Sequence, residues 1–405
     1  MKPKTFDQVV AAGLCSGCGL CASGSRVELK WDTRAEFLRP HENPDGRADA
    51  DGPLLVDCPG VNVAHAAESM ADERDPIWGP VVAARAGAAT ETEARYRGSS
   101  GGVITALLIH LLETKQITGV LQVGSDRDSP LLSIPRISRT PDEILACAGS
   151  RYAPSPTLQD ILHRLAPVDR LAIVGKPCDI VGFRNLSQRF PVLRERIPFA
   201  FSFFCAGVPS QQASIELVKR MGGAPKDVVS FRYRGNGWPG DATAQLTDGR
   251  ELRMSYNESW GGVLSRHLQF RCKICPDGTG EFADIVGGDA WYGVDGYPDF
   301  DERDGRSAIL TRTAVGESLV AAAIAAGVLV ADSIDLREID KMQPFQVRRK
   351  TTVLSRIAAL HLLGKFTPNY WRLGLLRAMF HANIGLQVRS FLGTVSRVLF
   401  AQKST

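Results

Sequence analysis

Three cysteines stand three residues apart in GLCSGCGLCAS (residues 13–23): Cys15, Cys18 and Cys21. Thiolates at this spacing suit three irons of a [4Fe–4S] cube, and in the bacterial ferredoxin pattern the run ends on a Cys-Pro pair. Here the Cys-Pro pair is Cys58-Pro59, well separated from Cys21. Loop-closure entropy grows only logarithmically with length, so a long loop does not prevent closure of one site. Cys15, Cys18, Cys21 and Cys58 form a first expected cluster, with a Cys₄ zinc site as the alternative reading.

Four further cysteines raise the same question. Cys272 and Cys275 make a second C-x-x-C in RCKICPDG. Cys178 follows the strand-like RLAIVG, and Cys205 ends the strand-like PFAFSFF. If those strands are parallel neighbours, both thiols lie at the carboxyl edge of one sheet, where α/β proteins build their sites. A loop carrying Cys272 and Cys275 to that edge completes a second set; burial in the core is the alternative for Cys178 and Cys205. Cys147 is left over and reads as a packing thiol.

The segment RGSSGGVITALL places Arg97, Gly98, Ser99, Ser100, Gly101, Gly102 and Thr105 around a helix start. Free N–H groups and the helix dipole favour a phosphate there, although Ser capping of a glycine-rich start explains the same residues. Clusters move one electron at a time and most organic substrates take two, so a flavin, FAD, is the expected converter. Lys176, beside Cys178, offers a positive charge to a reduced flavin. Tyr152, Asp277 and Asp289 are the proton-donor candidates; His267 reads as a packing residue.

These residues need elements to hold them. From about residue 80, short β-rich runs alternate with helical ones, which argues for an α/β fold with a mostly parallel sheet. VVSFRYRG and ATAQLTDGRELRMS read as an antiparallel excursion around a TDGR turn. SPTLQDILHRLA and PDEILACAG read as helices. Residues 1–80 form a loop-rich, ferredoxin-like iron–sulfur segment, with a turn-rich insertion at 41–53. Residues 81–165 carry the flavin-associated part, 166–340 the second cluster, and 341–405 a basic helical tail.

The totals bound the rest. Nine cysteines in 405 residues, clustered rather than scattered, point to metal in a reducing compartment. The cytoplasm is the expected location, because the apolar run before Cys15 is too short for a signal peptide and carries Asp7. No stretch reaches the roughly 20 apolar residues of a spanning helix. Eleven of the 48 basic residues, and none of the 44 acidic ones, follow Asp340. The tail has the composition of an interfacial amphipathic helix, which allows peripheral contact with the inner face of a membrane; docking on its own domain or in a homo-oligomer is the other expectation. Nucleic-acid-binding motifs are lacking.

Taken in order, CSGCGLC, RGSSGGVITALL, GSRYAPSP, VGKPCDIVGFRN, FFCAGVPS, RYRGNGWPG and RCKICPDGTGEFADIVGGDAW resemble the coenzyme F420 hydrogenase/dehydrogenase β-subunit family over about residues 10–340. That family includes ferredoxin-dependent iron–sulfur flavoprotein reductases such as 7-hydroxymethyl chlorophyll a reductase. The resemblance implies an α/β fold, FAD, one or two [4Fe–4S] clusters, and cluster ligands at Cys178, Cys205, Cys272 and Cys275. It also implies two functional expectations. One is a reductase fed by reduced ferredoxin or a similar one-electron donor. The other is an electron-transfer subunit whose flavin exchanges hydride with coenzyme F420 or NAD(P) for a partner enzyme.

Overall fold

The computed structural model describes residues 2–24, 27–34, 36–43, 52–65, 74–294 and 297–401. The turn-rich insertion expected at 41–53 therefore lies largely outside the described residues.

In chain order the strands are β1 (Val27–Trp31), β2 (Leu38–Glu42), β3 (Ala83–Ala89), β4 (Gly119–Ser125), β5 (Ser133–Ser138), β6 (Leu171–Val174), β7 (Phe199–Phe203), β8 (Val228–Arg232), β9 (Ala242–Leu246), β10 (Glu251–Met254), β11 (Ile285–Asp289), β12 (Gly293–Val294), β13 (Tyr297–Pro298), β14 (Ser307–Thr311) and β15 (Leu329–Ser333). The helices used below are α1 (Thr92–Arg97), α2 (Val103–Glu113), α3 (Pro141–Ala146), α4 (Pro177–Arg189), α5 (Gln211–Arg220), α6 (Ala314–Ala325), α7 (Pro344–Leu362), α8 (Leu375–Met379) and α9 (Ile384–Ala401).

Among the described residues the central sheet has eight strands in the order β15-β3-β14-β11-β7-β6-β4-β5. Four consecutive strands, β11, β7, β6 and β4, run parallel. The flanking strands β5, β14, β3 and β15 pair antiparallel. Alternation along the strands sends Leu171 and Ile173 to one face and Ala172 to the other. Ile180, Phe183 and Leu186 of α4 cover the first face. Leu107 and Leu111 of α2, with Leu319 and Val320 of α6, cover the second. Both faces are apolar because both are roofed by helices, as parallel strands require.

Local chemistry starts each helix. Thr140 accepts from Glu143 N at 3.3 Å and Pro141 opens α3. Pro177 opens α4, and the Asp179 carboxylate accepts from Lys176 N at 3.0 Å. Gly102 precedes α2 with φ +70, and a Cβ there would meet Ala94 O at 2.3 Å, so only glycine fits. The expected antiparallel excursion is a separate sheet, β10-β9-β8, packed with α5 through Leu217, Val218, Phe231 and Tyr233.

One helical expectation shrinks. SPTLQDILHRLA forms only a single turn, Ile161–Arg164. Its first half is instead tied to the three-cysteine loop: Leu158 N donates to Cys18 O at 2.8 Å and Ser23 Oγ donates to Leu158 O at 3.0 Å. Asp160 then takes a left-handed conformation, φ +56, that prevents an earlier helix start.

The tail folds back onto the N-terminal segment. Val63 N and Asn369 N exchange backbone bonds with Asn369 O and Val61 O, at 2.8 and 2.7 Å. Leu360 of α7 and Val398 of α9 pack with Val9, Leu14, Val61 and Ile274. No helix among the described residues is long and apolar enough to cross a membrane.

Candidate functional site: two thiol sets and a cleft

The N-terminal thiols converge. Cys15, Cys18, Cys21 and Cys58 all line one small apolar cavity, walled by Phe6, Val9, Leu29 and Pro40. Burial pushes the Cys18 thiol up to about 12, with Asp179 adding to the rise. Cys21 and Cys58 are raised as well, first by burial and then by the neighbouring thiols. Gly60 N donates to Cys58 Sγ at 3.4 Å.

The second set forms at the carboxyl edge of the parallel strands. β6 and β7 are parallel neighbours with Ile173 opposite Ala200. Cys178 sits in the first turn of α4, and Cys205 lies just beyond β7. Cys205 is pushed up to about 12 by burial, then by Cys272, with Arg349 easing it down. Cys178 rises by burial, with Asp179, Cys205 and Cys272 adding to it. Val208 N donates to Cys272 Sγ at 3.3 Å.

Two side chains join the sets. Gln269 Nε2 donates to Ser16 O at 3.2 Å and reaches Cys272 Sγ at 3.6 Å. Arg271, 2% exposed, donates through Nη2 to Pro59 O at 3.2 Å. Its Nε and Nη1 have no partner among the described residues. Burial opposes the Arg271 charge, but Tyr370 and the thiols of Cys275, Cys178 and Cys272 hold its pKa above the ordinary value. A buried guanidinium with open N–H groups beside two thiol sets is costly unless an anion faces it. Among the described residues no three His, Cys, Asp or Glu are arranged to hold a single metal ion. The four thiols of each set and the buried cation between the sets are compatible with a larger anionic group in each. A [4Fe–4S] cube held by four thiolates has that size and sign; Cys15, Cys18, Cys21 and Cys58 would hold one, Cys178, Cys205, Cys272 and Cys275 the other.

Beside the second set a cleft open to solvent runs along the strand ends. Gly98, Ser99, Ser100, Gly102 and Thr105 line it, together with Tyr152, Lys176, Cys205, Arg234 and Asp289. The α2 N-terminus opens at its wall. Free N–H groups at a helix start can receive a phosphate, which is what FAD would require of this wall.

Several expected residues take other places. Arg97 turns away from the glycine turn and pairs with Glu93 at 2.8 Å. Gly101 serves the fold: its N–H donates to Ser307 Oγ at 2.9 Å. Lys176 does reach the cleft, but its ammonium is already engaged by Ser155 O at 2.8 Å, Ser155 Oγ at 2.7 Å and Asp179 Oδ2 at 2.8 Å. Its charge is shared with Asp179 rather than left free for a ligand. Asp289 accepts two bonds from Arg234, both at 2.8 Å, and a third from Trp238 Nε1 at 2.8 Å. A carboxylate so occupied is an anchor, not a proton donor. Asp277 is buried away from the cleft wall, where Oδ1 accepts from Glu281 N at 2.9 Å. His267 pairs with Glu216 at 3.1 Å, off the thiol sets.

Two cleft residues escaped the sequence reading. Cys147, expected only to pack, lines the cleft. Arg234, 2% exposed, stacks over Tyr256 and Trp291, with its centre 4.5 and 5.0 Å from their rings. A basic residue set among RYRGNGWPG aromatics was its signal.

Residues 84–161 match the family described as coenzyme F420 hydrogenase/dehydrogenase, beta subunit N-term, and residues 168–337 match its C terminus. The chain is 28% identical to coenzyme F420 hydrogenase subunit beta of Methanococcus voltae, over 69% of this chain and 95% of that protein. It is 25% identical to a coenzyme F420-dependent sulfite reductase of Methanocaldococcus jannaschii, over 85% of this chain and 50% of that protein. It is 26% identical to chloroplastic 7-hydroxymethyl chlorophyll a reductase of Oryza sativa subsp. japonica, over 49% of this chain and 40% of that protein. The F420-reducing [NiFe] hydrogenase complex of Methanosarcina barkeri contains a chain of similar fold, with TM-score 0.55 and 21% identity, over 73% of this chain and 98% of that one. This chain belongs to the coenzyme F420 hydrogenase/dehydrogenase β-subunit family, whose named relatives above are oxidoreductases or their subunits.

Proposed function

We propose that the protein is an iron–sulfur flavoprotein oxidoreductase taking electrons from reduced ferredoxin or a similar one-electron donor and delivering them to an organic substrate at the cleft. The reading involves two [4Fe–4S] clusters and FAD, held by the two thiol sets and the cleft. When bound, the clusters supply single-electron transfer and the flavin supplies the link to two-electron hydride chemistry. The observation that carries the reading is the shared wall: Cys205 belongs to the second thiol set and also lines the cleft.

The chain's own groups do the rest. Gln269 spans the two thiol sets and fixes their spacing. Arg271 balances negative charge between them. The glycine turn and the α2 N-terminus receive phosphate. Arg234 and Asp289 hold the far wall, and the Lys176–Asp179 pair fixes the near one. Tyr152 packs on Trp260, with ring centres 4.7 Å apart, and is the remaining cleft candidate for holding a proton over the substrate.

A second reading is favoured by the names of the relatives, several of which are subunits: an electron-transfer β subunit in which the flavin exchanges hydride with coenzyme F420 or NAD(P) for a partner enzyme. Anaerobic purification with iron, sulfide, zinc and flavin quantification tests the cofactor reading. About eight irons and one FAD per chain are expected, and zinc without flavin overturns it. Turnover of a small substrate by the isolated chain with an artificial donor then separates the reductase from the subunit.

A further inference from the structure

Helix α9 carries apolar residues on two faces, one docked and one open to solvent. The residues it turns toward the body include Gln387, Ser390, Phe391, Thr394, Val395 and Val398: Gln387 Nε2 donates to Thr351 O and to Met379 O, both at 2.9 Å, and Thr394 is 1% exposed. The residues it turns to solvent are Ile384, Val388, Leu392 and Leu399, spaced four, four and seven apart, which is one stripe of a helix. Ile384 is 81% exposed and Leu392 is 58% exposed. In the segment just before the helix, Trp371 and Phe380 are 68% and 76% exposed. A helix whose docked face is already filled, by Gln387 and Thr394 together with half-buried Phe391, Val395 and Val398, while a second apolar stripe faces water, has that outer stripe for something else.

Charge selects the occupant. After Asp340 the chain has eleven Lys and Arg and no Asp or Glu. Arg389 and Arg397 stand exposed on the same helix. Arg356, beneath it, is lowered to about 10, first by burial and then by Arg349, Arg397 and Arg348, so the tail's cations already repel one another. A second copy of this tail would bring more positive charge to the same face. The segment also lies beyond residues 84–161 and 168–337, the stretches shared with the family. An apolar stripe beside unbalanced cations, with Trp and Phe nearby, is the pattern of a helix lying in a lipid interface.

We infer that α9 docks the protein on an anionic membrane surface, its apolar stripe in the acyl boundary and Arg389, with the tail's other exposed cations, at the headgroups. Binding is read by co-sedimentation, so the outcome does not depend on which redox reaction the cleft performs. The anaerobically purified full-length protein is mixed with vesicles of phosphatidylcholine alone, or of phosphatidylcholine with 30 mol% (about one lipid in three) phosphatidylglycerol. Sedimentation with the anionic vesicles only, weakened by salt, is expected. Leu392→Glu should lower partitioning at least about tenfold, and Arg389→Glu about tenfold or more, since each surface cation is worth roughly fivefold. Both positions are exposed, so iron and flavin content should not change. Two results overturn the inference. One is equal or absent binding to both vesicle types. The other is a wild-type dimer, found by sedimentation velocity, that Leu392→Glu makes monomeric while vesicle binding persists.

Discussion

Lys350→Met should loosen the tail's anchor to the family fold, and the cost can be worked out. The Glu281 carboxylate is 3% exposed. One oxygen accepts from Lys350 Nζ, and the other lies 3.3 Å from His65 Nε2. Lys350 belongs to α7, so this pair crosses from the tail to the family fold. Burial alone would raise the Glu281 pKa; the Lys350 ammonium and then His65 overcome it and hold it down to about 2, against an ordinary 4.5. At about 1.4 kcal/mol per tenfold, that difference corresponds to about 3 kcal/mol. Breaking a buried pair from one side costs a similar amount, about 3–5 kcal/mol. Nearby Asp277, raised by burial and then by Glu281, offers no relief. Because the Glu281 pKa is depressed on folding, its stabilisation is present above about 4.5 and is lost as pH falls toward about 2. Lys350→Met should therefore lower the thermal midpoint at pH 7 by roughly 4–6 °C, and flatten the acid limb of the stability curve. The double variant Lys350→Met, Glu281→Gln should recover much of the loss. Differential scanning calorimetry of the four proteins across pH is the assay. A single variant within about 0.5 kcal/mol of wild type, or a double variant no better than the single, would refute the argument.

Cys58→Ser should reduce iron from about eight to about four per chain while flavin stays, because the second thiol set does not use that residue; loss of all iron would refute separate sites. Arg271→Met removes the buried cation between the sets and should lower the midpoint potential of the bound clusters by on the order of 60 mV, a tenfold change for a one-electron couple, read by redox titration with paramagnetic resonance. An unchanged potential would leave Arg271 a packing residue. Tyr152→Phe should reduce turnover by roughly a hundredfold or more with flavin content unchanged if Tyr152 delivers the proton. Asp289→Asn should instead lower flavin content, since it frees one side of the Arg234 pair.

The thiol sets were legible because cysteine chemistry is local in type and spacing, and because RLAIVG and PFAFSFF carry strand signals that fix which edge their cysteines reach. The cleft was legible only where glycine marks it. The role of Asp289 was not, because its partner, Arg234, is brought to it by tertiary folding; Arg97 and Lys176 instead take local helical partners, Glu93 four residues before and Asp179 three residues after, which their spacing already allowed. Period and composition fix which residues are charged, not which charges meet. The same holds for the shortened helix near Asp160. Its sequence favours a helix, but its backbone is engaged by the three-cysteine loop, a contact between residues far apart in the chain.

The tail shows why a stretch outside the shared family fold still bears on the site. Its two faces carry different charges of responsibility. Inward, Arg349 of α7 donates to Cys205 O at 2.8 Å, and it is among the cations that lower the Cys205 and Cys275 thiols against the rise that burial imposes. Gln346, one turn earlier, donates to the same carbonyl at 3.2 Å. The loop bearing Cys205 is thus held by the tail, and the cleft wall that Cys205 forms is held with it. Outward, the neighbouring helix α9 shows apolar and cationic groups to solvent. Helix α9 is linked to the second thiol set through its packing on α7 and through Val398, which packs in the cluster that holds Ile274 between Cys272 and Cys275. Removing residues 341–405 should on this reasoning disturb the second thiol set as well as any surface binding. Point changes on the outer stripe should disturb binding alone, and that difference separates the anchor from the support.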